Sequence, residues 1–108
     1  HMAMISQETL QEATRRLIEN FRPQRIILFG SQARGTADDQ SDVDLLVVTN
    51  FVGKRRTLMV EMDRALRGLG IARDIIVITP EEFERDSEIP GTIARPAARE
   101  GRILYERH

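Results

Sequence analysis

Apolar side chains recur along residues 6–21 at Leu10, Ala13, Leu17, Ile18 and Phe21, with Thr14 on the same stripe. This is the i, i+3, i+4, i+7 spacing of an amphipathic helix. Ser6 suits its N-cap, Ile5 and Leu10 are placed for a hydrophobic staple, and Pro23 ends it. The pattern then shortens into compact apolar runs at 25–29, 43–48 and 74–79, which predict strands. Residues 31–36 predict a short helix or turn introduced through Gly30, and Asp38-Asp39-Gln40-Ser41 a polar loop. A second helix is expected over about 55–68, with Leu58, Met59, Met62, Ala65, Leu66 and Leu69 on its apolar face and Gly68 and Gly70 closing it. Pro80 opens a short acidic helix through Arg85, and 87–91 is loop. Residues 92–100 predict a helix holding Pro96 in its first turn and capped by Gly101, and 102–106 a short final strand. The chain shows no repeats, low-complexity segments or linkers.

The second and third strands are joined by a helix and so are parallel if they are neighbours. Asp42, Asp44 and Asp74 stand at the starts of those strands, at one end of the sheet. The first strand brings Gly30-Ser31 to that same end at its own C-terminus, so it runs antiparallel to the other two. The expected fold is therefore α/β (α+β): a small mixed sheet of three core strands plus a short C-terminal strand, flanked by helices. A dinucleotide fold, with ligands at the carboxyl ends of parallel strands, does not fit.

Chemistry concentrates where the strands begin. Alternation along a strand puts Asp42 and Asp44 on one face, about 6–7 Å apart. Adjacent carboxylates repel unless a cation lies between them, and hard Mg²⁺ takes oxygen ligands together with substrate phosphates. A solvated loop-to-strand junction is the plainer reading, since Asp is common in turns. A junction seldom leaves two carboxylates on one face ahead of a wholly apolar strand. Asp74 could pair with Arg73 or Arg25; beside the other two it reads as the further carboxylate of a two-metal site. Gly30 and Ser31 suit a phosphate cradle, through backbone N–H groups and a hydroxyl, or else form an ordinary strand-ending turn. Arg34 could grip a β- or γ-phosphate bidentately, or neutralise Asp38 or Asp39. Gly35 and Ser41 fit loop-shaping roles. Lys54-Arg55-Arg56 lie where a helix dipole disfavours cations, which hints at a phosphate or partner contact, although such runs are usually solvated. Tyr105 fits an edge-strand packing position.

The order Gly30-Ser31, Asp42-x-Asp44, then Asp74 on a later strand resembles the signature of the DNA-polymerase-β-like nucleotidyltransferase superfamily. Its compact form, Gly30-Ser31-Gln32-Ala33-Arg34-Gly35 followed by Ser41-Asp42-Val43-Asp44-Leu45, is similar to the minimal nucleotidyltransferases (MNT). The closing stretch Arg99–Glu106 resembles that family's terminal helix and strand, so the resemblance covers the whole chain. It implies a nucleotidyltransferase fold in which Asp42 and Asp44 hold two Mg²⁺ ions. Asp74 would hold the one that activates the attacking hydroxyl, and Gly30-Ser31 would grip the β,γ-phosphates of ATP. It also implies a HEPN ribonuclease toxin as partner, inactivated by AMP transfer to a tyrosine hydroxyl, the chain being the antitoxin. Two other readings compete: an aminoglycoside-type nucleotidyltransferase working with a helical subunit, and a non-catalytic antitoxin that acts by contact alone. An intact carboxylate triad favours the enzymes.

Composition narrows the picture further. With 108 residues, 41% hydrophobic and 31% charged, one globular domain over residues 3–108 is expected. His1-Met2 resembles an expression-vector scar. Larger nucleotidyltransferases carry a further domain for the acceptor, and this length leaves no room for it, so a separate macromolecule is expected to present the acceptor. A net charge of −1 argues against long nucleic acid as partner. With no cysteine, no apolar run of membrane-spanning length and no secretory leader, the expected location is cytoplasmic, away from membranes.

Overall fold

A computed structural model describes residues 5–37 and 42–108; His1-Met2 and the loop positions Asp38, Asp39 and Ser41 lie outside the described residues. The first helix, α1 (Gln7–Phe21), begins where Ser6 accepts a hydrogen bond from the Thr9 N–H, and it buries Leu10, Ala13 and Leu17. It stops at Arg22, whose left-handed backbone (φ 48°) returns its N–H to the Ile18 carbonyl. There follow β1 (Arg25–Phe29), α2 (Ser31–Arg34), β2 (Val43–Val48), α3 (Arg55–Ala65), β3 (Arg73–Ile78), α4 (Pro80–Asp86), α5 (Ala94–Glu100) and β4 (Arg102–Glu106).

The strands form one sheet in the order β3-β2-β1-β4. β1 lies antiparallel to both β2 and β4, and β2 is parallel to β3, the mixed sheet expected from the sequence. β1 and β2 are interior strands covered on both faces, which is why they read as unbroken apolar runs. On one face Ile26, Leu28, Val43, Leu45, Val47, Ile75 and Val77 pack with Leu10 and Leu17 of α1 and Met62 of α3. On the other Ile27, Phe29, Leu46, Val48 and Ile78 pack with Ala94 and Ala97 of α5. Tyr105 pairs with Ile26 at the sheet margin and packs half-buried against the first cluster. Among the described residues no helix is long and apolar enough to cross a membrane.

Several boundaries differ from expectation by one to three residues, and three of them have a reason the local pattern does not carry. Helix α3 ends at Ala65, not 68, because its last turns tighten: Leu66 and Arg67 donate to the carbonyls of Asp63 and Arg64 at 3.1 Å. Arg16 of α1 takes up the released carbonyls of Ala65 (3.2 Å) and Arg67 (2.9 Å). The third strand ends at Ile78 because Thr79 caps α4, accepting from the Glu82 N–H while Glu82 accepts from the Thr79 N–H. Helix α5 begins at Ala94 because Thr92 is held in the preceding loop by the carbonyls of Asp86 (2.8 Å) and Ile89 (2.9 Å).

The basic run divides. Arg55 turns inward, gripping both Glu82 oxygens at 2.8 and 3.0 Å, donating to the Val77 carbonyl at 2.8 Å and lying over the Phe51 ring. Arg55 and the Thr79 N–H together hold the Glu82 carboxyl down to about 2, against an ordinary 4.5. Its folded-state pKa is depressed, so this contact stabilises the fold above pH 4.5 and is lost as pH falls towards 2. Glu82→Ala, which removes one half of the capping box and the Arg55 partner, is expected to cost about 1–2 kcal/mol in urea unfolding at neutral pH. Most of that difference from wild type should vanish at the acid end of the range.

Candidate functional site

The buried face toward α5 changes character at one end of the sheet. Along β2 the inward row reads Val48, Leu46, Asp44, with Asp42 just beyond; along β3 it reads Ile78, Ile76, Asp74. Asp44 is the register partner of Phe29 in β1 on one side and of Asp74 in β3 on the other. Two carboxylates from distant parts of the chain therefore stand on adjacent strands, same face, same level. Asp42 and Asp74 are exposed, and Asp44 is half-buried between them.

Electrostatics follow from this crowding. Burial raises the Asp44 carboxyl above its ordinary value, and the neighbouring charges of Asp74 and Asp42 raise it further; Arg34 pulls it back only in part. The carboxylate is thus held in a place that wants positive charge. Among the described residues Asp74 has no ion pair: Arg73 pairs with Asp63 (2.8 Å) and Arg25 with Glu106 (2.9 Å).

Gly30 follows Phe29 directly and so lies against the same row. Its backbone (φ 74°, ψ −159°) is in a region essentially reserved for glycine. A β-carbon there would sit 2.3 Å from one Asp44 carboxylate oxygen. The glycine of the Gly-Ser turn is therefore needed to admit Asp44, a close approach that its strand-ending position does not announce.

After Gly30 the chain makes the single short turn of α2. Ala33 and Arg34 both donate to the Gly30 carbonyl at 3.1 Å, and Thr36 donates to the carbonyl of Ser31, which lies half-buried at the start of the turn. Arg34 projects from the turn, its side chain 46% exposed, and lies 3.9 Å from Glu100 at the end of α5. Asp38 and Asp39, its other possible counter-charges, lie outside the described residues. The structure thus gathers Gly30, Arg34, Asp44 and Asp74 at one corner, with Asp42 at its rim.

Two participants were not visible in the sequence. Gln32 is buried, and its Oε1 accepts a hydrogen bond from the Ile5 N–H at 3.0 Å, tying the site turn to the segment before α1. Its burial in a four-residue helix is the only signal it could have given. Glu100 faces Arg34 from the far end of the chain, and no spacing rule links them.

The donor set is all carboxylate oxygen, which suits a hard divalent cation rather than a soft one. Among the described residues, no three His, Cys, Asp or Glu side chains stand together closely enough to hold one metal ion. An ion here would take part of its sphere from the aspartates and the rest from phosphate oxygens and water, the usual habit of Mg²⁺. The carboxylates fit such an ion on those terms. A groove of about 400 Å³ lies between α1 and β4, where Leu10, Ile18, Ile103 and Leu104 are set among polar side chains. It lies at the opposite margin of the sheet from Asp74, so the charge cluster rather than the cavity marks the chemistry.

Comparison with known proteins bears on this corner. The profile of the nucleotidyltransferase domain family matches residues 10–104. Two proteins of Methanocaldococcus jannaschii, each named as a candidate protein adenylyltransferase, are similar in sequence. One is 40% identical over 73 residues, which is 60% of this chain and 48% of that protein. The other is 33% identical over 91 residues, 78% of this chain and 80% of that protein. The chain thus spans about half the length of the first relative. A crystal structure of a candidate nucleotidyltransferase from Sulfolobus solfataricus superposes with a TM-score of 0.64 at 23% identity, covering 93% of this chain and 79% of that one.

Proposed function

Because this chain belongs to the nucleotidyltransferase domain family, we propose that the corner formed by Gly30, Ser31, Arg34, Asp42, Asp44 and Asp74 transfers AMP from ATP to a protein hydroxyl. The observation that carries the reading is the placement of Asp44 opposite Asp74 with Gly30 pressed against it. It is a cluster of negative charge, open on one side, at the end of a rigid sheet. The names of the two archaeal relatives favour a protein as acceptor. The MNT resemblance makes that acceptor a tyrosine of a HEPN ribonuclease toxin, with this chain as the antitoxin.

In this mechanism Asp42, Asp44 and Asp74 would hold Mg²⁺, two ions in the resemblance. The metal would supply positive charge to the attacking and leaving oxygens. The chain's own residues do the positioning. Ser31 and the turn it begins meet the triphosphate, Arg34 swings from Glu100 to a terminal phosphate, and Asp44 reaches its place because Gly30 carries no β-carbon to exclude it. The acceptor oxygen bonds to the α-phosphorus, the bond from that phosphorus to the bridging oxygen breaks, pyrophosphate leaves, and the hydroxyl proton passes to solvent. No residue of the chain becomes covalently attached, so the rate gain comes from alignment and charge.

The test is incubation with labelled ATP, Mg²⁺ and a HEPN protein encoded beside this chain, followed by mass spectrometry. AMP on a tyrosine of the partner, dependent on Mg²⁺, is expected. Stable complex formation without any transfer would instead favour an antitoxin acting by contact alone. Efficient modification of a free aminoglycoside would favour the small-molecule enzyme. Arg34→Ala is expected to weaken Mg-ATP binding about tenfold or more by calorimetry, since a charge-assisted contact is lost. Ser31→Ala should cost less, because the backbone donors survive. Unchanged affinity in Arg34→Ala would leave that side chain to its pairing with Glu100.

A further inference from the structure

At the β3 margin of the sheet, a groove of about 320 Å³ runs between α3 and that strand. Arg56, Met59, Val60 and Asp63 form its helical wall, and Asp74 lies in its strand wall. β3 pairs only with β2 among the described residues, in an uninterrupted register of six positions, so its outer edge is unpaired. The opposite margin differs: β4 carries a register shift between the positions facing Ile26 and Ile27, an irregularity that discourages added strands.

The groove has a matched floor and a distinct polarity. Val60, 49% exposed, and Met59 give it an apolar wall. Arg73 and Asp63 cancel each other at 2.8 Å. Two charges are left: Asp74, shared with the candidate site, and Arg56, which has no ion pair among the described residues. Helix α3 runs back along β3, since Arg55 reaches the Val77 carbonyl while Asp63 meets Arg73. Arg56 therefore lies toward one end of the groove and Asp74 toward the other. Seven helical positions separate Arg56 from Asp63, a span of about 10 Å, which is about three residues of extended chain.

We propose that this groove is where the acceptor protein docks, as an extended acidic segment that adds a strand to the open edge of β3 and brings its hydroxyl residue to Asp74. The proposal rests on the reading of the site as a protein adenylyltransferase and deepens it by naming how the acceptor is held. Main-chain hydrogen bonds to β3 supply affinity, as in other strand additions. The apolar wall takes a side chain of the segment, and an acidic residue three positions from the hydroxyl, hence on the opposite face of the added strand, meets Arg56. An unpaired edge that shares a carboxylate with the reacting corner sets register and chemistry together, because a slip by one residue would turn the hydroxyl to the wrong face.

The probe is a synthetic peptide of alternating valine and threonine with a central tyrosine and a glutamate three residues beyond it. Controls carry lysine for the glutamate, or a proline beside the tyrosine. Amide exchange and ¹⁵N chemical shifts of the whole chain report where the peptide sits, and calorimetry reports Mg-ATP affinity separately. Slowed exchange of β3 amides is expected with the glutamate peptide and not with the proline peptide. Val60→Asp should weaken the peptide at least tenfold, and Arg56→Glu should reverse the preference between glutamate and lysine peptides, both with unchanged Mg-ATP affinity. Protection at β4 or none at all, or peptide affinity untouched by both substitutions, would overturn the proposal. If the peptide protects β3 but Mg-ATP does not bind, the docking stands and the transfer reading fails. Transfer to a small alcohol with β3 unprotected would overturn the docking and leave the transfer reading in place.

Discussion

Asp44→Asn is expected to lower AMP transfer by about a hundredfold or more, while making the metal-free protein more stable. The loss follows from removing the carboxylate that stands between the other two; deletion of one electrostatic contact to a transition state commonly costs about 10²–10³ in rate. The gain follows from crowding. In the folded chain Asp44 is partly desolvated and lies beside Asp74 and Asp42, so its pKa is raised above 3.8. A raised carboxylate means that the native state binds the proton more tightly than the unfolded chain does. Stability is then undiminished below pH 3.8 and falls as pH rises through the native pKa. Asparagine removes that penalty. Urea midpoints in chelator should therefore coincide for variant and wild type at the acid end and separate in the variant's favour as pH rises. A constant difference across the range would show that Asp44 does not carry the charge conflict; wild-type turnover would remove it from the chemistry.

Gly30→Ala is expected to be costly for a single methyl group, in stability and in transfer. Two effects add. The backbone at φ 74°, ψ −159° is strained for any residue with a β-carbon, by about 1–3 kcal/mol. The new carbon would also meet an Asp44 oxygen at 2.3 Å. That oxygen is the end of a side chain and can swing aside, so the clash is relieved at the expense of the site. Thermal unfolding should show the backbone part, and transfer should fall about as far as in Asp44→Asn. A cycle with Asp44→Ala separates the two: Gly30→Ala should cost less in the Asp44→Ala background than in the wild type, because only the backbone strain is left there. An equal cost in both backgrounds would show that the close approach is not what glycine is there to permit.

Much of this molecule is written locally. The helical stripe from Leu10 to Phe21, the Ser6 cap, the apolar runs of β1 and β2 and the turn at Pro80 are patterns within one or two turns of chain, and the structure reproduces them. The antiparallel direction of β1 also follows from sequence, since Gly30 ends one strand while Asp42 and Asp44 begin another and all belong to one end. That Asp42 and Asp44 share a face needs only the alternation of a strand.

What required the folded chain is every relation between distant segments. Asp44 opposite Asp74 is a matter of register between β2 and β3, and register is set by how two apolar faces pack together. The role of Gly30 depends on the direction of the Asp44 side chain across the sheet. Arg55 was one cation in a basic run until α4 brought Glu82 beneath it, and the carbonyls released where α3 tightens and stops are met by Arg16 of another helix. Local sequence determines which residues can form a strand, a cap or a carboxylate pair, because those depend on backbone geometry over a few residues. Which charges then face one another is decided by side chains filling a shared core, and that is a property of the whole chain at once.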